Sequence, residues 1–329
     1  MRLPPPFVFA CILIFIFYGN SKAQDCLSNA LDASNVAYTI TVSKWGQANF
    51  NTIQAAIDSI PLNNNRWVRI LISADTYSEQ VKVPRDKPCV ILEGNTGTTI
   101  SWGLHTGADK SATFTAEADN FVAKNMAIMN TYRSLLNDVE QSVAVEVTGD
   151  KVSFHACSFY GYQDTLWDAL GRHYFQNCFI EGAIDFIWGN GQSIYEGCKI
   201  SILPFAGGQL AGFITAQGRK SANEMTGFVF KGGFVFANGN AHSYLGRAYG
   251  AYSRVIWYDI EFSDVIVPEG WSTWNQPQDN LEYAEVNCHG PGSNLSKRVT
   301  WLKKLAESDV HQFIDISYID QDGWLANQP

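Results

Sequence analysis

Short runs of alternating apolar and polar residues recur along this chain, and three of them align without gaps around a cysteine. They are Val152-Ser153-Phe154-His155-Ala156-Cys157-Ser158-Phe159, His173-Tyr174-Phe175-Gln176-Asn177-Cys178-Phe179-Ile180 and Ser193-Ile194-Tyr195-Glu196-Gly197-Cys198-Lys199-Ile200, with cysteines 21 and 20 residues apart. A period of two predicts half-buried strands. Fainter copies lie at 121–128 and 228–235. A repeat of this length, built from strands and turns, is the signature of a solenoid. Leucine-rich repeats share the period, but their Leu-x-x-Leu-x-Leu pattern is missing. The pattern therefore predicts an all-β parallel β-helix, each coil laying its strands about 4.8 Å from those of the next. Equivalent positions then stack in ladders. Cys157, Cys178 and Cys198 form one such ladder, as packed thiols in preference to a disulfide.

A solenoid needs its ends covered. Asn51 is placed to cap a helix beginning at Thr52, with Ile53, Ala56, Ile57 and Ile60 on one face and Pro61 ending it. This predicts a short capping helix at the N-terminal end. Residues 294–329 carry Val299-Thr300-Trp301-Leu302 and further apolar clusters. They either pack along the outside or close the far end.

Residues 1–23 read as a secretory signal: Arg2, an apolar run from Phe7 to Tyr18, then Ser21-Lys22-Ala23. That run is short for a membrane span. Residues 24–329 are then a single secreted domain. Loss of Arg2 and Lys22 moves the formal charge from -9 to -11. Such an acidic chain is a poor nucleic-acid binder. Cys11 leaves with the signal, and six cysteines remain, enough for disulfides in an extracellular chain. Their pairing is not fixed by spacing. Asn294-Leu295-Ser296 is a glycosylation sequon.

Candidate chemistry follows from the repeat. Asp164 lies seven residues after Cys157, and Asp185 seven after Cys178. The two acids therefore occupy one rung position on adjacent coils. Their neighbours Tyr162, Trp167, Phe186 and Trp188 supply aromatic surface suited to sugar rings. Paired carboxylates in an apolar setting can divide into proton donor and nucleophile.

These residues carry a resemblance to the plant-type pectin methylesterases, in the form without an inhibitor-like pro-region. Thr76-Tyr77-Ser78-Glu79, Gln141-Ser142-Val143-Ala144-Val145, Gly161 to Leu166, Gly182 to Gly189 and Leu245-Gly246-Arg247 lie in the family's order. The resemblance spans about Tyr38 to Leu325 and implies a single-stranded right-handed parallel β-helix. It implies hydrolysis of the methyl esters of cell-wall homogalacturonan, releasing methanol, without metal or cofactor. By that resemblance Asp185 is the nucleophile, Asp164 the proton donor and later base, and Gln163 and Gln141 the oxyanion donors. Arg247 orients Asp185. Tyr249, Tyr162, Trp167, Phe186, Trp271 and Trp274 are the expected substrate contacts. For Trp271 and Trp274 the sequence leaves core and sugar platform equally open. Tyr77 and Glu79 read as turn-shaping residues.

Departures from the family pattern are Tyr249 in place of Trp, Ala248 in place of Pro, Glu146 where Arg often follows, Ala108 in place of Thr, and the loop 131–140. The expected partners are pectin and a proteinaceous pectinesterase inhibitor, with no nucleic acid and no membrane. The chain is expected to be a monomer in the plant cell wall. Two rival readings remain: a pectin-binding β-helix of weakened activity, and a chain-cleaving β-helix hydrolase, whose acids stand further apart. No Gly-x-Ser-x-Gly supports a serine esterase.

Overall fold

The computed structural model describes residues 25–27, 35–105, 107–132, 140–204 and 211–329. The expected signal segment lies outside them. The described chain winds into a right-handed parallel β-helix of three sheets, of ten, eight and eight strands. Pairing within each sheet is parallel, and each strand lies on its counterpart one coil away. Thus Val152–His155 pairs with Phe121–Lys124 on one side and Arg172–Gln176 on the other.

The aligned runs are the ten-stranded sheet and the corner that follows it. Their inward residues form an aromatic stack. Phe154 lies on Phe175 at 5.3 Å, Phe175 on Tyr195 at 4.5 Å, Tyr195 on Phe230 at 4.6 Å and Phe230 on Trp257 at 3.8 Å. At the corner the chain turns through left-handed residues on successive coils: Asn125 (φ 56°), Ala156 (50°), Asn177 (53°), Gly197 (64°) and Gly232 (64°). Each donates its N–H one coil onward, as Asn177 does to Glu196 O at 2.8 Å. After the first four of these the next residue is Met126, Cys157, Cys178 or Cys198, all buried. The cysteine ladder is therefore the inner side of a repeated corner. Its thiols are free, and Cys178 and Cys198 each donate to a carbonyl at 3.4 Å.

Both ends are covered. The capping helix is Ile53–Asp58, and its N-cap is Thr52, one residue later than the sequence suggests. Thr52 is extended (φ -128°, ψ 150°), and its hydroxyl accepts from the Ala55 N–H at 3.3 Å. The Glu79 carboxylate takes the next two free donors, Ile53 N and Gln54 N, each at 3.0 Å. Glu79 thus satisfies a helix end that would otherwise lack acceptors. Ile53, Ala56, Ile57 and Ile60 join the main core. The C-terminal segment does both things expected of it. Val299, Trp301 and Leu302 pack on the main core, while Val310, Tyr318, Ile319 and Trp324 cover the outside of the ten-stranded sheet against Tyr174, Ile194, Val229 and Ile256. Cys26 and Cys89 form a disulfide, a pairing that spacing left open. Asn294 is exposed, at the start of a short 3-10 turn.

Candidate active site

One eight-stranded sheet carries the candidate residues on its outer face. Lys82, Thr115, Glu146, Trp167, Trp188, Ala216, Arg247 and Ser272 are paired rung to rung across it. A cleft of about 560 Å³ opens over the middle of this ladder. It is lined by Gln141, Gln163, Asp164, Trp167, Asp185, Trp188, Arg247, Tyr249 and Trp274, with Gly107, Ala108, Asp109 and Ala216.

The two acids enter from adjacent coils. Gln163 is bridged in parallel to Ile184, and Asp164 N donates to Ile184 O at 3.0 Å. The offset of 21 places Asp164 beside Asp185. Both residues hold left-handed backbone, φ 64° and 48°. That turns the side chain out of the strand's alternation. Beneath them Gly182 allows close packing, since a Cβ there would stand 2.2 Å from Phe186 Cβ. Asp164 is 3% and Asp185 7% exposed.

Burial and the neighbouring Asp185 push Asp164 up to about 8, against hydrogen bonding from Gln141 and Gln163 and the charge of Arg247. Burial also raises Asp185, opposed by the hydrogen bond and charge of Arg247. Arg247 Nε donates to Asp185 Oδ1 at 2.7 Å, and its NH2 group donates to Oδ2. The guanidinium lies between two rings, 3.7 Å from that of Trp274 and 4.4 Å from that of Phe213. A bidentate cation favours the charged form of its carboxylate. The Arg247 pair thus favours charge on Asp185, while burial and that charge favour the proton on Asp164.

An aromatic wall flanks the pair. Trp167 and Trp188 stack at 4.5 Å, Tyr249 meets the edge of Trp188 at 6.1 Å, and Trp274 lies 5.9 Å from Tyr249. Tyr249 and Trp274 are 52% and 41% exposed. The Trp188 Nε1 is buried with no hydrogen-bond partner among the described residues.

Three expected sugar contacts are kept out of the cleft, and those expectations are corrected. Tyr162 packs with Ala183, Ile184 and Leu203 and donates its hydroxyl to Pro204 O at 3.0 Å. Phe186 is fully buried. The strand is irregular between Ile184 and Ile187 in its pairing with Gly212–Gln217, so Phe186 and Ile187 both point into the core. Trp271 stacks on Tyr283 at 4.3 Å and donates Nε1 to Glu285 at 2.9 Å, inside the coil. Conversely, Trp188, counted among the aromatic neighbours of the acids but not among the expected substrate contacts, lies in the cleft. Counting the repeat of 21 from Trp167 lands on it.

Fold and cleft together define a class: a parallel β-helix holding a carboxylate pair, an arginine and two amides within an aromatic groove. A family model described as Pectinesterase matches residues 39–322. The Arabidopsis thaliana proteins Probable pectinesterase 29 and Probable pectinesterase 55 are 42% and 43% identical, each over 92% of this chain and 94% of its own length. Among solved structures, the pectin methylesterase from carrot superposes with a TM-score of 0.84 at 29% identity, covering 90% of this chain and 98% of its own. A pectin methylesterase from Aspergillus niger gives 0.77 at 26% identity, covering 93% and 99%. The chain belongs to the pectinesterase family. It is a carboxylic ester hydrolase of pectin methyl esters.

Proposed function

We propose that this chain demethylates homogalacturonan with Asp185 as nucleophile. The observation that carries the reading is the juxtaposition, in one cleft, of a buried Asp164 with an Arg247-bound Asp185; burial and Asp185 push Asp164 up to about 8, which suits it to hold the proton. One Asp185 oxygen attacks the ester carbonyl of a methyl-esterified galacturonate. The carbonyl electrons move onto oxygen, where the amide N–H groups of Gln141 and Gln163 stabilise the oxyanion. The intermediate collapses, the carbon–methoxy bond breaks, and Asp164 gives its proton to the departing oxygen as methanol leaves. The result is an acyl-enzyme on Asp185. Asp164, now a carboxylate, takes a proton from water, whose oxygen attacks the acyl carbon and frees Asp185. Both acids return to their starting states.

Trp167, Trp188, Tyr249 and Trp274 offer the faces on which sugar rings stack. The further elements of the reading are export by residues 1–23, glycosylation at Asn294, and action as a monomer in the plant cell wall under a proteinaceous inhibitor. The apolar run from Phe7 to Tyr18 and the exposed sequon support the first two.

The test is methanol release from pectin by purified protein, beside Asp185→Ala. The reading expects methanol from the wild type, none from the variant, and neither new reducing ends nor an unsaturated product. Near-wild-type turnover by Asp185→Ala removes that residue from the mechanism.

A further inference from the structure

The ladder under the cleft does not end at the aromatic wall. One rung beyond Trp167 it continues on Glu146, then Thr115 and Lys82. These three line a second cavity of about 300 Å³. Asp109 lines both cavities, so the two adjoin at that residue. At a strand spacing of about 4.8 Å, Glu146 stands roughly 10 Å along the coil axis from the rung of Trp188. A polymer lying along this face reaches it within a few sugar units.

The charge of this arm is set by Glu146. Two lysines line the second cavity. Lys82 is engaged with Glu117 at 2.6 Å, and Lys110 adjoins Asp109 in the chain. Glu146 is the acid left over. Among the described residues no lysine or arginine forms an ion pair with it, and its Oε2 accepts from Thr115 Oγ1 at 3.4 Å. Burial, with nearby Glu117 and Asp109, raises its pKa against the Thr115 hydrogen bond and the charge of Lys82, as expected of a carboxylate poorly served by water. A second negative charge brought alongside therefore meets repulsion that solvent only partly screens.

We infer that this arm is a subsite for a methyl-esterified galacturonate unit that discriminates against the free acid, with Glu146 as the specificity-determining residue. The inference rests on reading the cleft as a pectin esterase site. The two kinds of sugar unit differ only at C6, where one carries a neutral ester and the other a carboxylate. A neutral group fits beside Glu146, and an anion is repelled. Demethylated product lying in this arm weakens binding, so the protein favours runs of unmodified ester there.

The test uses binding, so it does not depend on turnover. The ligands are hexagalacturonate and its C6 amide, a neutral and hydrolysis-resistant counterpart of the ester. Affinities are read from tryptophan fluorescence for the wild type, Glu146→Gln and Glu146→Lys. The wild type should bind the amide more tightly than the acid. Glu146→Gln should narrow that preference about fivefold, the scale of one partly screened charge pair. Glu146→Lys should narrow it further, and salt near about 0.5 M should narrow it more in the wild type than in Glu146→Gln. A preference identical in wild type and Glu146→Gln overturns the inference, as does a fall in both affinities together with melting temperature, which marks a merely structural residue. Absence of methanol release from pectin would instead strike the proposed function and leave this result standing.

Discussion

Asp164 and Asp185 are held in backbone that costs an L-residue about 1 kcal/mol or more, and they are buried besides. This cost has a measurable sign. Folded Asp164 keeps its proton up to about 8, whereas an unfolded aspartate releases it near about 3.9. Between those values the folded state binds more protons, so stability falls as pH rises through the window. Asp164→Asn removes the titration while keeping a side chain that tolerates positive φ. It should raise the melting temperature at pH 7 by on the order of a few degrees, with the gain vanishing near pH 4, while methanol release is lost. The same state governs turnover. The rate should fall above about pH 8 as Asp164 loses its proton and fall again at acid pH as Asp185 gains one, giving a bell-shaped kcat/KM profile. Gln163→Ala should lower kcat roughly 100-fold, the scale of one lost oxyanion donor; a change confined to KM would mark a binding role. The positions of both acids were legible in the sequence because the repeat counts residues. The direction of a side chain was not. Phe186 lies within the irregular stretch between Ile184 and Ile187 and Trp188 just beyond it, so the alternation that would put both on one face is broken and only Trp188 faces the cleft.

At the scale of the strand and its corner, the cysteine ladder that drew attention in the sequence is half of a device. Its other half is the left-handed residue just before each cysteine, which Asn, Gly and one Ala supply. Asparagine and glycine tolerate this backbone, and alanine does not. Ala156, exposed at φ 50°, is the misfit on the inner rungs. Ala156→Asn should stabilise the protein by about 1 kcal/mol in urea unfolding, and Asn177→Ala should destabilise it by a similar amount. Equal stabilities for all three proteins would deny the corner this role. The alternation of apolar residues was legible because a half-buried sheet imposes a period of two. The corner signal was present as Asn125, Asn177 and Gly197, but short-range turn chemistry is harder to separate from ordinary loop composition. Likewise, Glu79 joins the helix Ile53–Asp58 across 25 residues, a contact that no local pattern announces.

The molecule as a whole is a stack in which each coil touches chiefly its neighbours, so stability is lost from the ends inward. The Cys26–Cys89 disulfide closes a span of 63 residues at the N-terminal end. Opening a loop of that size removes up to about 4 kcal/mol of restraint on the unfolded chain. Reduction should therefore loosen the first coils before the rest. Hydrogen exchange should rise in Val36–Val42 and Trp67–Ile72 ahead of the strands bearing the acids, and uniform exchange along the coil would count against end-inward loss. The remaining sulfurs behave otherwise. Cys157, Cys178 and Cys198 are buried in the stack, and burial drives the Cys157 and Cys178 thiols far from the ionised form that attacks disulfides or alkylating reagents. The Cys26–Cys89 bridge can thus stand beside buried free sulfhydryls without exchange between them, because the stack withholds those sulfurs from any oxidant or thiolate in solvent.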